Sequence, residues 1–139
     1  MNKLTVKNQK TPDIKRLWHG TGGCPPLDVY SKDGFNIAYS NAGMWGNGIY
    51  FAVNANYSCP GYSYRVPNLQ NTYEVFCANV SMGEVIDLGV NSDRSIKTPP
   101  NRPDGLPYDS IKAHTAGSDI YIVYKNVKTY PAYLVRYTV

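Results

Sequence analysis

The chain has 139 residues, of which 42% are hydrophobic and 17% charged, with a formal net charge of +4. This length suits one domain with its own core, and the composition is typical of globular rather than disordered proteins. Lys and Arg are scattered along the sequence, which argues against a nucleic-acid-binding stripe and leaves a mild attraction for anionic ligands.

Three cysteines, Cys24, Cys59 and Cys77, share no Cys-x-x-Cys spacing, and the two histidines lie far apart. A structural zinc site is therefore not expected. The odd number of cysteines favours reduced thiols in a cytosol-like compartment, with one disulfide plus one free thiol as the alternative. The sequence has no apolar run of membrane-spanning length and no signal-peptide core. We expect a cytoplasmic or nuclear location, and a secreted effector is left open.

Residues 1–13 are polar and predict a lead-in to the folded part. Residues 14–19 are the first strand candidate, which ends at a glycine-rich turn. Residues 27–32 predict one or two helical turns, and residues 35–41 predict a polar loop. The pair His19-Gly20 at the strand end could contact a ligand through its ring and the next backbone amide, although most single histidines have a structural role.

Residues 43–62 contain the most informative signals. Glycines at positions 43, 46 and 48 predict backbone that turns sharply or approaches a neighbour closely. They lead into Ile49-Tyr50-Phe51-Ala52, an apolar and aromatic run that predicts a buried strand. A polar segment with Tyr57, Ser58 and Tyr62 follows. This succession favours a planar ligand held between aromatic rings and backbone.

The second half of the chain predicts further strands and one long loop. Residues 89–107 are rich in Asn, Asp, Pro and Gly and predict a surface loop of the kind that often carries function. Many short strands, little helix and no βαβ alternation indicate an antiparallel, two-layer α+β or all-β-like domain. The strand candidates are residues 72–80, 84–88, 108–113, 118–124 and 130–137.

Three separated motifs occur in order: Leu17-Trp18-His19-Gly20-Thr21, Gly46-Asn47-Gly48-Ile49-Tyr50-Phe51-Ala52, and residues 120–124 followed by Tyr130-Pro131-Ala132-Tyr133-Leu134. Together they resemble the catalytic domain of the poly(ADP-ribose) polymerase family, the diphtheria-toxin-like branch of the ADP-ribosyltransferases. Residues 50–58 are most similar to its mono-ADP-ribosylating members. The resemblance implies one catalytic domain over residues 1–139 with the α+β ADP-ribosyltransferase fold, in which split antiparallel β-sheets with few short helices surround an NAD+ cleft.

The resemblance also implies roles for individual residues. His19 would contact the ribose of the nicotinamide half of NAD+. Gly20 would bind the nicotinamide carboxamide through its backbone N–H and C=O, and Thr21 would help on the adenosine side. Residues 24–36 would form the donor loop over the diphosphate and adenosine.

On the other side of the ligand, Tyr50 would pack on one face of the nicotinamide ring. Ser58 would hydrogen-bond the carboxamide, and Tyr62 would be the second stacking tyrosine. Residues 89–107 would border the acceptor side of the cleft.

Polymerising members of the family have a glutamate where this chain has Ile120, so the catalytic set that the resemblance implies is His19, Tyr50 and Ile120. In the family this pattern accompanies transfer of a single ADP-ribose. Asp119 lies next to that position, but neighbouring side chains of a regular strand point to opposite faces. Asp119 would substitute for the glutamate only if a bulge shifted the register.

The predicted function is that of a pentosyl-transferring enzyme, a mono-ADP-ribosyltransferase. It would move one ADP-ribose from NAD+ to protein side chains, its own included, and release nicotinamide. NAD+ would be a co-substrate, no metal would be needed, and the acceptor protein is left open. We expect a monomeric catalytic module of a larger protein without a nucleic-acid or membrane partner. The alternative is an inactive module of the same fold that binds NAD+, ADP-ribose or protein partners.

Overall fold

The computed structural model of the chain describes residues 14–31, 34–35, 37, 41–59, 61–125 and 129–139. The predicted lead-in, and parts of the predicted helical turns and donor loop, lie outside the described residues. The helices are α1 Pro26–Val29 and α2 Ala55–Ser58. The strands are β1 Ile14–His19, β2 Tyr30–Ser31, β3 Gly34–Phe35, β4 Asn41–Gly43, β5 Gly46–Ala52, β6 Tyr64–Arg65, β7 Thr72–Ser81, β8 Val85–Gly89, β9 Ser110–Thr115, β10 Ser118–Val123 and β11 Thr129–Thr138. The predicted α+β composition, with mostly strands and few short helices, is confirmed.

One sheet contains most of these strands, in the order β11-β7-β1-β5-β10-β9-β8, with β4 paired to β5 and β6 paired to β7. β2 and β3 pair with each other apart from this sheet. Between β1 and β5 the ladder has a single Cα pair, Trp18 with Ala52. The sheet therefore consists of two halves that are joined at one point, one ending in β1 and the other beginning with β5.

The predicted antiparallel pairing is wrong for one ladder in the described part of the chain. β8 and β9 run parallel, with Val85 opposite Ser110 and Ile86 opposite Ile111. Parallel neighbours need a long connection that returns the chain to the same end of the sheet. The predicted surface loop at residues 89–107 belongs to this connection, so its length has a topological reason.

The central strands β5 and β10 bury side chains on both faces of the sheet. Alternate residues such as Phe51 and Tyr121 join one core cluster together with Leu17. The residues between them join a second cluster, in which Ile120 packs with Trp45. Burial on both faces explains why these two strands have almost continuously apolar sequences.

Phe35 contradicts the prediction of a polar loop over residues 35–41. It lies in β3 with only 1% of its surface exposed. Its ring packs edge-on against Phe51 and Phe76, with centroids 5.2 and 5.1 Å apart. Phe35 and Ile37 alternate with the polar Asn36, a short period-two signal that the interpretation of this segment as a polar loop overlooked. The predicted helical turns at residues 27–32 are also shorter than expected, because α1 ends at Val29 and β2 follows.

Candidate functional site

A cavity of about 500 Å³ is lined by the end of β1 on one half of the sheet and by β5 on the other. Its volume lies within the range of roughly 300–1,000 Å³ that is usual for small-molecule sites. The structure brings most of the predicted site residues together here. Those that line the cavity are His19, Gly20, Thr21, Tyr50, Ser58 and Tyr62.

His19 lies at the end of β1 with 6% of its surface exposed. Its Nδ1–H donates to the Tyr50 carbonyl oxygen at 2.6 Å. Since a carbonyl oxygen can only accept, this bond assigns the proton to Nδ1 and leaves Nε2 of the neutral ring as an acceptor. Nε2 has no hydrogen-bond partner among the described residues.

Two effects act on the protonation of His19. Burial lowers the pKa of the imidazole, and the hydrogen bond to the Tyr50 carbonyl raises it by less. The ring is also held by aromatic contacts with Phe35 and Phe51, at centroid distances of 5.0 and 5.2 Å. The result is a fixed, neutral imidazole that offers one nitrogen lone pair to a hydroxyl group in the cavity.

The Tyr50 ring is fixed by its own hydroxyl group. This hydroxyl donates to the Gly46 carbonyl at 2.8 Å and accepts from the Trp45 N–H at 2.9 Å. Gly43 leaves room for it, because a Cβ at that position would lie 2.5 Å from the hydroxyl oxygen. Burial raises the pKa of Tyr50, while the Trp45 N–H and the positive charge of Arg94 oppose the rise. The Tyr50 ring therefore lines the cavity in a fixed orientation.

Ser58 ends helix α2 and is 3% exposed. Its carbonyl accepts from the Ser63 hydroxyl at 2.8 Å and from the Tyr62 N–H at 3.1 Å. Its own hydroxyl has no partner in the described part of the chain. Buried hydroxyl groups normally have one, so an unpartnered hydroxyl in a cavity wall indicates a group that a ligand can satisfy.

Tyr62 stacks on Tyr57 with ring centroids 5.1 Å apart and an angle of 21° between the planes. The position of Tyr62 is coupled to the turn after β1. The Gly22 N–H donates to the Tyr62 carbonyl at 2.8 Å, and a Cβ at Gly20 would collide with the same carbonyl oxygen. The turn and the tyrosine pair thus pack as one unit, which requires glycine at position 20.

The cavity has two walls built from different segments. The first wall consists of residues 20–24 with Tyr57, Ser58 and Tyr62. Within it, the Thr21 hydroxyl donates to the Cys24 carbonyl at 2.7 Å and closes the turn.

The second wall consists of residues 43–45, Arg94, Thr115 and Ala116. Its segments are joined by a contact of 3.7 Å from the Thr115 hydroxyl to the sulfur of Met44. Tyr50 lies between the walls, since its carbonyl contacts His19 and its hydroxyl contacts Trp45.

Ile120 is not among the described residues that line the cavity. It is fully buried in the second core cluster, on the same face of the sheet as Tyr50. Asp119 points elsewhere, because its carboxylate accepts from His114 Nδ1 at 2.8 Å and lies 3.8 Å from the Lys112 ammonium. The hydrogen bond from His114 is the main reason why the pKa of Asp119 is lowered.

Sequence reasoning missed the lining residues Trp45 and Arg94, and it gave no individual role to Tyr57. Tyr57 stood in a recognised aromatic segment, but nothing in the sequence showed that its ring would stack on Tyr62. Burial, followed by the proximity of Tyr62, raises the pKa of Tyr57 to about 12. Arg94 is a single cation in a loop without periodicity, so no local pattern could place it in the cavity.

Among the described residues, no group of three or more His, Cys, Asp or Glu side chains is arranged to hold a metal ion. In the same part of the chain, no helix is long and apolar enough to cross a bilayer.

Three curated relatives match most of this chain. Protein mono-ADP-ribosyltransferase PARP14 of Homo sapiens is 30% identical over 141 aligned positions, which cover 96% of this chain and 7% of that protein. A probable poly(ADP-ribose) polymerase of Dictyostelium discoideum is 32% identical over 125 positions, covering 87% of this chain and 33% of the relative. Protein mono-ADP-ribosyltransferase PARP12 of Homo sapiens is 28% identical over 133 positions, covering 93% of this chain and 18% of that protein. The chain thus spans a third or less of the length of each relative. No family model matches the chain.

Proposed function

Since the chain belongs to the poly(ADP-ribose) polymerase family, we propose that it is a mono-ADP-ribosyltransferase that uses NAD+ as co-substrate. One observation carries this proposal: three side chains from separate elements converge on one cavity with free bonding capacity. They are His19, whose Nε2 has no partner among the described residues, Tyr50 with its fixed ring, and Ser58, whose hydroxyl has no partner in the same part of the chain. The chain would be the catalytic module of a larger protein, as its small share of each relative suggests.

The nicotinamide group suits the space beside Tyr50. A flat ring packs well on a fixed aromatic face, and tight positioning comes from a few hydrogen bonds at its edge. Ser58 offers a buried hydroxyl that can both donate to and accept from a carboxamide. Gly20 and Tyr62, which also line the cavity, would complete the contacts through backbone groups and a second ring.

The ribose next to the nicotinamide would lie against His19. The neutral imidazole can accept a hydrogen bond from a ribose hydroxyl through Nε2. Cleavage of the bond between nicotinamide and ribose leaves positive charge on the sugar, so the main tasks of the protein are to orient the leaving group and to avoid opposing that charge. A histidine kept neutral by burial meets the second requirement.

Transfer of a single unit is supported by the lining of the cavity. Its described residues include no aspartate or glutamate, and Ile120 is fully buried where polymerising relatives have a glutamate. Chain elongation needs a carboxylate that activates a hydroxyl of the ADP-ribose already attached. Without that group, the reaction would stop after one transfer.

The test uses the chain with NAD+ labelled in its adenosine half, and follows both the label on protein and the release of nicotinamide. His19→Ala should lower both by roughly 100-fold or more, as for loss of a group that acts on the transition state. His114→Ala is the matched control, since the other histidine is exposed and pairs with Asp119 outside the cavity. It should retain wild-type activity.

The proposal is wrong if the wild-type chain neither releases nicotinamide nor labels any protein. Calorimetric binding of NAD+ without turnover would instead identify an inactive module of the same fold. Equal activity of the wild type and His19→Ala would assign the turnover to another site.

A further inference from the structure

Tyr124 follows directly after β10 and is not among the described residues that line the cavity. Its ring packs against β5, because a Cβ at Gly48 would come within 3.3 Å of it. Its hydroxyl donates to the carbonyl oxygen of Trp45 at 2.5 Å. Burial, followed by the proximity of Tyr50 and Asp93, raises the pKa of Tyr124, so this hydroxyl keeps its proton and remains a donor.

The carbonyl that Tyr124 contacts lies between the two backbone groups that fix Tyr50. The Trp45 N–H donates to the Tyr50 hydroxyl, and this hydroxyl donates to the Gly46 carbonyl. The peptide unit that joins Trp45 to Gly46 connects these two groups along the backbone. Its orientation therefore determines where both groups point, and through them where the Tyr50 ring lies in the cavity.

Gly46 is the point at which this turn could change shape. Its φ is +84°, and glycine adopts negative φ about as readily. A change in this angle rotates the Gly46 carbonyl relative to the Trp45 N–H, so that the Tyr50 hydroxyl can keep only one of its two contacts. Since β5 is held in the sheet on one side of Gly46, an anchor on the peptide unit before it fixes the angle. The Tyr124 hydroxyl is such an anchor.

The two consecutive peptide units of the turn have separate anchors. The unit before Trp45 carries the N–H that contacts Tyr50. It is held through the Met44 carbonyl, which accepts from the Asp93 N–H at 2.9 Å. The unit after Trp45 is held by Tyr124, and in the described part of the chain no other donor contacts its carbonyl. Loss of the Tyr124 hydroxyl would thus release the second unit while the first stays fixed.

We propose that Tyr124 is a positioning residue, which fixes the Tyr50 ring for nicotinamide through the backbone of Trp45. The inference rests on the proposed transferase function and adds a residue outside the cavity to the binding site for the leaving group. A ring held in one orientation binds a flat ligand more tightly than a ring that must be ordered when the ligand arrives. Because such stacking acts on bound substrate and transition state alike, Tyr124 should affect the binding of NAD+ more than the chemical step.

The experiment is a double-mutant cycle of Tyr124→Phe and Tyr50→Phe, each of which removes one hydroxyl group and keeps the ring. Tyr124→Phe should raise the KM for NAD+ and the calorimetric Kd for nicotinamide about fivefold, the contribution of one well-packed aromatic contact. Its kcat should change less than about twofold. The double variant should match Tyr50→Phe alone, because Tyr124 acts through the Tyr50 hydroxyl that this variant already lacks.

Ser110→Ala is the control for general destabilisation. It also removes a hydroxyl that donates to a backbone carbonyl, that of Met82, and it lies outside the described cavity lining. Urea unfolding should show a loss of stability in both Ser110→Ala and Tyr124→Phe. Only Tyr124→Phe should change the KM for NAD+.

Several results would overturn the inference. Wild-type nicotinamide release with unchanged KM and Kd in Tyr124→Phe would refute it alone. Effects of the two substitutions that multiply in the double variant would show that Tyr124 acts independently of Tyr50. An equal rise of the KM in Ser110→Ala would assign the effect to stability. If the wild type neither binds NAD+ nor releases nicotinamide, the transferase function is wrong and the inference with it.

Discussion

Two buried serines differ in what their hydroxyl groups contact. The Ser110 hydroxyl donates to the Met82 carbonyl at 3.0 Å, whereas the Ser58 hydroxyl has no partner in the described chain. Ser58→Ala should therefore leave the free energy of unfolding unchanged or raise it slightly, since it removes an unsatisfied buried group. It should weaken nicotinamide binding by about tenfold, the contribution of one or two hydrogen bonds. Calorimetry with nicotinamide and urea unfolding measure the two effects.

Ser110→Ala is the control for this comparison. It should lower the free energy of unfolding by about 1–2 kcal/mol, because it leaves the Met82 carbonyl without its donor, and it should not change nicotinamide binding. If Ser58→Ala destabilises the chain as much as Ser110→Ala and binding stays the same, Ser58 has only a structural role.

Because His19 is buried, the free energy of unfolding should depend on pH. The pKa of His19 in the folded state lies below the ordinary value of 6.5. Between these two pKa values the folded state binds fewer protons than the unfolded state. The free energy of unfolding should then rise with pH up to about 6.5 and level off above it. As the pH falls below that value, stability is lost by at most ~1.4 kcal/mol per pH unit.

Urea unfolding at about pH 7.5 and about pH 5.5 measures this loss. His19→Gln cannot titrate, so it should lose less stability than the wild type between these two pH values. The same pH slope in both proteins would show that His19 is not held neutral in the folded state.

At the scale of elements, two glycines with nearly the same backbone conformation have different surroundings. Gly46 has φ +84° and Gly105 has φ +88°. A Cβ at Gly46 would collide with the Ile96 carbonyl oxygen, and a Cβ at Gly105 would meet nothing within 4 Å. Gly105→Ala should thus lower the free energy of unfolding only by the backbone strain, about 1–2 kcal/mol. Gly46→Ala should lower the free energy of unfolding by at least about 2 kcal/mol more, because it also displaces the loop of residues 91–96 from Met44 and Trp45.

Urea unfolding of both glycine variants measures the two losses in the free energy of unfolding. Equal stability losses for Gly46→Ala and Gly105→Ala would contradict the tight docking of the loop.

Most elements could be predicted from the sequence because their patterns are local. β1 has its predicted bounds, and β5 and β10 were recognisable because burial on both faces makes them apolar throughout. The parallel pairing of β8 and β9 was not predictable from either strand, since it depends on the path of the loop between them. Phe35 was missed because its burial comes from residues distant in the sequence, such as Phe76.

Part of the candidate site could also be predicted from the sequence. The motif residues His19, Tyr50 and Ser58 could be placed in one site through their order and their resemblance to a family. Arg94 could not, because it reaches the cavity only through bonds from its neighbours to Met44 and Trp45. These bonds join segments nearly fifty residues apart, so no local sequence pattern predicts them.

For the whole molecule, the separation of the sheet into two halves creates the place for a ligand. A single Cα pair joins β1 to β5, and the hydrogen bond from His19 to the Tyr50 carbonyl spans the same junction. A ligand that contacts both walls would add further links between the halves. In the proposed reaction, NAD+ would lie at this junction, where the cavity is lined by residues from both halves of the sheet.

The most direct test of the central claim is peptide-resolved mass spectrometry of the chain and an added acceptor protein after incubation with NAD+. The account predicts modified peptides that each gain the mass of one ADP-ribose per modified residue, with nicotinamide released in equal amount. Repeated ADP-ribose units on a single residue would contradict transfer of one unit. No adduct on any protein, with no nicotinamide released, would contradict the transferase function itself.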